Sequence, residues 1–283
     1  MGAALTLAVT AALLLGSSDF FAARSARTTA SITVTRTAVL ASAVLSPLLL
    51  LLVDSKWILK DSILGAVGGL AMITGLMLLY HGYSVARMGV VAPLSSVLLA
   101  TVPVIWDLIN GIRPGLWSGI GMGLGGVALV LTSYARNGTT PGDSGSTTQG
   151  ALLGLASGMG FGIAFTVLGQ VSDAAGLAPS IVQRAAGVAL LVAIGVIRKE
   201  RFIAHGVGLR RAVIAGLLGL VGIAALQLAF REGDAGPVSV ASSQFATVAV
   251  VLSVLFNRER MRWWQAIGVG ATALAVALIA IGS

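Results

Sequence analysis

Residues 137–150 read NGTTPGDSGSTTQG, and they cut the chain into two parts of similar length. The run is rich in Gly, Ser and Thr, a composition that predicts a flexible linker. No other gap between apolar runs resembles one. Outward from it lie runs of the length that crosses hydrocarbon, about 20 apolar residues at about 1.5 Å rise each. Before the linker they cover 3–23, 31–53, 62–86, 90–110 and 115–133; after it, 150–170, 179–197, 209–231, 236–256 and 263–281. The expected fold is an all-α integral membrane protein of ten transmembrane helices, five on each side. Pro114 and Pro179 stand where a first helical turn begins, a position at which the missing N–H costs nothing. The run from Ala3 to Ala23 has no positive stretch before it and can span alone, so it reads as a helix and not as a cleaved signal.

Composition agrees. Hydrophobic residues make up 57% of the 283 and charged residues 10%, against about 25% charged in a soluble domain. So few charges cannot cover a water-facing surface, and the main solvent must be lipid. The net charge of +8 raises the question of nucleic acid. The Lys and Arg residues lie mostly in short gaps between apolar runs, however, where basic loops face anionic headgroups. The expected partners are membrane lipid and a small-molecule substrate, with no nucleic acid. The absence of cysteine excludes disulfides, thiolate metal sites and a Cys nucleophile. His81 and His205 are too far apart in sequence to suggest a zinc cage. No cofactor is expected. A membrane-embedded enzyme would need clustered acids, histidines or a nucleophile with its base, and no such cluster is visible. A non-transporting scaffold or receptor is the other alternative.

The two parts repeat. Shifted by 147 residues, 75–132 overlies 222–279 without a gap, with identity at 16 of 58 positions. Apolar composition alone gives some Leu, Val and Gly matches. It does not readily give Ser95-Ser96 on Ser242-Ser243, Asn110 on Asn257, Arg113 on Arg260 and Trp117 on Trp264 in one register. The domain reading is one five-helix repeat at 1–136, a linker at 137–149 and a second repeat at 150–283. An odd number of spans per repeat makes the second copy enter the membrane upside down. Inverted repeats of this kind predict a secondary transporter with its site near mid-membrane between the copies.

The stretch VVAPLSS from Val90 and the stretch NRERMRWWQAIGVGATALAVALI from Asn257 resemble the paired domains of the EamA family, within the drug/metabolite transporter superfamily. In that family each repeat typically closes with a Gly-Glu-Arg-like turn, then a Gln and a glycine-bearing last helix. The second repeat keeps Glu259, Arg260, Gln265 and Gly268, whereas the first has Ile112 where the acid is expected. The opening GSSDF, Gly16 to Phe20, with Arg24 and Arg27 after it, also looks like family members. The resemblance implies ten helices, a central cavity between the repeats, and export or uptake of amino acids and similar metabolites. It implies no nucleotide or metal cofactor.

Ionisable residues inside spans are costly and are functional candidates by default. Asp19 near the end of the first run and Arg36 near the start of the second are expected to pair across one end of the cavity; the alternative leaves both at the interface, Arg36 snorkelling. Arg184 is the counterpart of Arg36, but no acid lies in the preceding span. Its guanidinium would hold a substrate carboxylate, or else snorkel or pair with Asp173. Asp107, beside Trp106, could bind a cation or a coupling proton, or sit among headgroups. His81 could relay protons, though it too falls near a helix end. Ser95, Ser96, Gln227, Ser242, Ser243 and Gln244 are the polar residues deeper in spans. They either line a cavity or bond helix to helix. Pro93 and Pro103 are expected to bend the fourth helix.

Glycines at four-residue spacing, Gly154, Gly158 and Gly162 among them, allow close helix contact within the molecule, sliding between repeats or a homodimer contact. Odd-numbered loops hold twelve of the eighteen Lys and Arg, and even-numbered loops four. The positive-inside rule then puts odd loops in the cytoplasm and both termini outside, although family members are usually drawn with both termini inside.

Overall fold

The computed structural model describes residues 2–26, 28–86, 88–133, 147–198, 202–257 and 263–282. Glu259, Arg260 and most of the stretch read as linker lie outside these residues. Among the described residues the regular structure is all helical. The helices are α1 (Gly2–Ala26), α2 (Ser31–Leu45), α3 (Leu59–Val85), α4 (Met88–Ile109), α5 (Leu116–Ser133), α6 (Thr147–Leu168), α7 (Ala178–Arg198), α8 (Gly206–Glu232), α9 (Ala235–Ser243), α10 (Phe245–Asn257) and α11 (Trp263–Ile281). α6 begins at Thr147, inside the stretch read as linker. Seven spans are long and apolar enough to cross a membrane: α1, α2 with the 3-10 turn after it, α3, α6, α7, α8, and α9 with α10. Three shorter apolar helical runs lie at 94–109, 116–128 and 266–279.

Helix is what these sequences must form in lipid, because each backbone N–H and C=O has to find its partner within its own segment. The outward faces carry large apolar side chains: Leu51, Ile197 and Ile109 are 75–81% exposed. A water-soluble monomer does not present such a surface on every side. The inward faces are small. A Cβ on Gly216 of α8 would stand 2.1 Å from the Ala38 carbonyl oxygen of α2, and one on Gly158 of α6 would stand 2.4 Å from that of Ser95 in α4. Backbones therefore touch where the glycine spacing places them. Gly119 and Gly123 of α5 face open space instead.

Two expected helices are interrupted. The second run, read as continuous over 31–53, turns 3-10 at Ser46–Leu51, because Pro47 removes an N–H and its ring crowds the preceding turn. The ninth run breaks at Gln244 between α9 and α10. The Ser242 and Ser243 hydroxyls donate to the carbonyls of Ser239 and Val240, and the Gln244 side-chain amide also donates to Val240. Such local bonds compete with the helical ladder. The fourth helix, by contrast, runs through Pro93 and Pro103 without a break.

α1 packs chiefly on α8, α6 on α3 and α4, α7 on α3, α2 on α8, and α11 on α5. Each of these pairings joins a helix from before residue 137 to one from after it. The interior is thus made between the two parts of the chain.

Candidate transport site

A cavity of about 70 Å³, counted as space open to the centre of a water molecule, lies among α1, α2, α3, α4, α6, α7, α8 and α10. Its wall is mostly apolar, with Met72, Leu76, Phe161, Phe165 and Phe245 in contact with it. Four polar side chains interrupt that wall: Ser18, Asp19, Tyr80 and Arg184. At roughly 10–15 Å³ per water on this measure, the space holds on the order of five waters or a few heavy atoms of a small solute.

Asp19 stands seven residues before the end of α1 and is 6% exposed. Its Oδ2 accepts a bond from the Tyr83 hydroxyl at 3.4 Å. Tyr83 in turn stacks on Tyr80, with centroids 6.2 Å apart. Arg184 lies in the first third of α7 and is buried. Its Nη2 donates to the Gly219 carbonyl of α8 at 3.0 Å, while its Nε has no hydrogen-bond partner. A guanidinium carries five N–H donors, so one carbonyl leaves most of its capacity unused. Asp173 does not satisfy it, since that carboxylate lies 3.9 Å from Arg231 at the surface.

The expected pairing of Asp19 with Arg36 is not the one formed. Arg36 is fully buried with its guanidinium over the Phe202 ring, 5.1 Å from the centroid. Helical side chains lean toward the N-terminus of their own helix, which carries Arg36 toward the end of the molecule where α2 starts. Asp19 lies about two turns deeper from the matching end of α1. Asp19 meets the cavity that Arg184 also lines, and Arg36 does not.

Most of the other candidates hold helices together. Ser95 Oγ lies 3.1 Å from Ser157 Oγ of α6, and Ser157 donates to the Gly75 carbonyl of α3. Ser96 is buried beside it and its hydroxyl has no partner. Gln227 donates to the Gly176 carbonyl at 2.8 Å and accepts from Ser180, fixing the approach to α7. Asp107 accepts from the Gly236 amide and so caps α9 from another helix; with Asp234 it lines a second, smaller cavity. Ser242, Ser243 and Gln244 form the α9–α10 break. Trp106 is 39% exposed. His81 is exposed too, beside Ser84, and its ring faces away from the cavity that Tyr80 lines.

Tyr80 and Tyr83 escaped the sequence reading. The signal was their spacing of three on one helix face, with His81 turned away by about 100° (3.6 residues per turn).

Residues 148–281 match the EamA-like transporter family. No curated protein matches the chain. A solved structure, described only as the crystal structure of a protein, shares the fold with a TM-score of 0.71 at 18% identity, covering 98% of this chain and 96% of that one.

Proposed function

The chain belongs to the EamA-like transporter family, in the drug/metabolite transporter superfamily, and on that footing we propose that it is a secondary transporter for a small amino-acid-like or amphipathic metabolite. In this reading Arg184 takes the substrate's carboxylate bidentately. Asp19 faces its cationic group, and the apolar part lies against Phe161, Phe165 and Phe245. The observation that carries the reading is the cavity itself, where a buried guanidinium with unused donors and a buried carboxylate interrupt one apolar wall. The cavity is small and deep, so a solute of this size can load only when one end opens. That is alternating access, here working in export from the cell across the plasma membrane.

We read the architecture as ten spans in two inverted five-helix repeats, 1–136 and 150–283. Helix starts support it: α3 and α8 begin 147 residues apart, at 59 and 206, as do α4 and α9 at 88 and 235, and α5 and α11 at 116 and 263. The packing supports it as well. α1 on α8 mirrors α6 on α3, and α2 on α8 mirrors α7 on α3. Gly75 meets Phe161, and Gly222 meets Leu14, each residue 147 positions from its counterpart.

Flux into proteoliposomes, across a panel of amino acids and related metabolites, tests the function. Arg184→Gln should abolish transport of the substrate found, and Arg184→Lys should impair it, because an ammonium replaces the fork with a point charge. Full activity of both at normal membrane levels would overturn the assignment of Arg184.

A further inference from the structure

Two hydrogen-bonded residue pairs join the halves of the chain at opposite ends, and the same 147-residue shift relates them. At the end bearing the even-numbered loops, Ser172 after α6 meets Asp61 at the start of α3. Its amide donates to Oδ1 at 3.1 Å and its hydroxyl to Oδ2 at 2.5 Å. At the other end Ser25, in the last turn of α1, donates its hydroxyl to the Gly208 carbonyl at the start of α8, 2.9 Å away. Ser25 and Ser172 are 147 residues apart, and so are Asp61 and Gly208. One contact therefore occurs twice, once at each end, across the α1–α8 and α3–α6 packings.

We propose that Ser172–Asp61 and Ser25–Gly208 are the two gate latches of the transporter, released in turn as each mouth of the cavity opens. This rests on the transport reading above. The latches are unequal. Asp61 is 1% exposed and offers a carboxylate to two donors, whereas Gly208 offers one neutral carbonyl. Hydrogen bonds to an ionised group are roughly twice as strong as neutral ones. The even-loop mouth is accordingly the tighter, and the resting protein opens preferentially at the odd-loop end. The even-loop clasp is reinforced: Ser55 Oγ accepts from the Leu177 amide at 3.0 Å, and the Lys56 amide donates to the Ala174 carbonyl at 3.0 Å.

The absence of cysteine makes the test clean. Leu76 and Ile223 both line the cavity and are themselves 147 residues apart. Leu76→Cys reports the odd-loop mouth and Ile223→Cys the even-loop mouth, each labelled by a membrane-impermeant maleimide applied to one face of oriented vesicles. Asp61→Asn should speed labelling of Ile223→Cys from the even-loop face by about threefold or more, and slow labelling of Leu76→Cys from the other. Such a shift is expected when one of two competing states loses a charge-assisted bond. Ser25→Ala should act in the opposite sense. Unchanged labelling, or faster labelling at both faces in both variants, would overturn the proposal. If Asp61→Asn fails to accumulate, Ser172→Ala removes only the hydroxyl and must shift labelling in the same direction; no shift overturns the proposal equally. Flux measured beside it separates the two readings. Shifts without flux of any panel substrate leave the latches standing and sink the transport reading, and flux without shifts does the reverse.

Discussion

Asp19 and Arg184 stand where charge is expensive. A buried charge left without a full partner is destabilising by several kcal/mol, so neither serves the fold. Asp19→Asn keeps the size of the side chain and removes the charge. Flux of a zwitterionic or cationic substrate should fall about tenfold or more, the ~1.4 kcal/mol worth of one charge-assisted hydrogen bond. Thermal unfolding in detergent should stay level or rise. An unchanged flux would remove Asp19 from the site. Tyr83→Phe should cost less, about two- to fivefold, since it frees the carboxylate from its 3.4 Å partner without removing it. These residues also mark how far the sequence could be read. Rarity of charge inside apolar runs picks out Asp19, Arg36 and Arg184. It cannot say which of them share a cavity, because that depends on how deep each sits and which way it leans. The hydroxyl and amide residues were harder to place, since Ser95 and Gln227 look alike whether they line a hole or bind a neighbouring helix.

At the scale of elements, glycine does what the absence of a hydrophobic drive between helices in lipid leaves undone: it lets backbones touch. Its effect is position-specific. Gly216→Val would place a Cβ 2.1 Å from the Ala38 carbonyl oxygen, with backbone on both sides. α8 must then move off α2, and overpacking of this kind costs about 1–3 kcal/mol or more. The melting temperature in detergent should fall by several degrees or the protein should fail to accumulate. Gly123→Ala, facing open space, should hold or raise it, because alanine is the better helix former by about 1 kcal/mol. Equal effects of the two would contradict the packing. The all-helical character was legible because lipid leaves only one choice of backbone, and seven of the spans among the described residues are long and apolar enough to cross a membrane. The breaks were less so: Pro47 ends a helix by its missing N–H and crowding ring, and the Ser-Ser-Gln run ends one through local bonds, whereas Pro93 and Pro103 sit inside a continuous one. Hydropathy alone does not distinguish these cases.

For the whole molecule, the remaining choice is which end faces the cell. Basic residues gather on odd-numbered loops, twelve against four, and positive loops stay in the cytoplasm. On that expectation both termini lie outside, and the proposed latch at Asp61 would close the external mouth. A protein resting with its outer end shut and its inner end easier to open is loaded from the cytoplasm, which suits export. The reverse orientation would put the tight latch inside and favour uptake, so topology and direction are coupled through one residue. An alkaline phosphatase fused after Ser283 should be active and a green fluorescent protein at the same point dark. A bright fluorescent fusion with an inactive phosphatase would turn the molecule over. Export would then require the weaker Ser25–Gly208 latch to be the one closed at rest, and maleimide labelling from the cytoplasmic face can measure that directly.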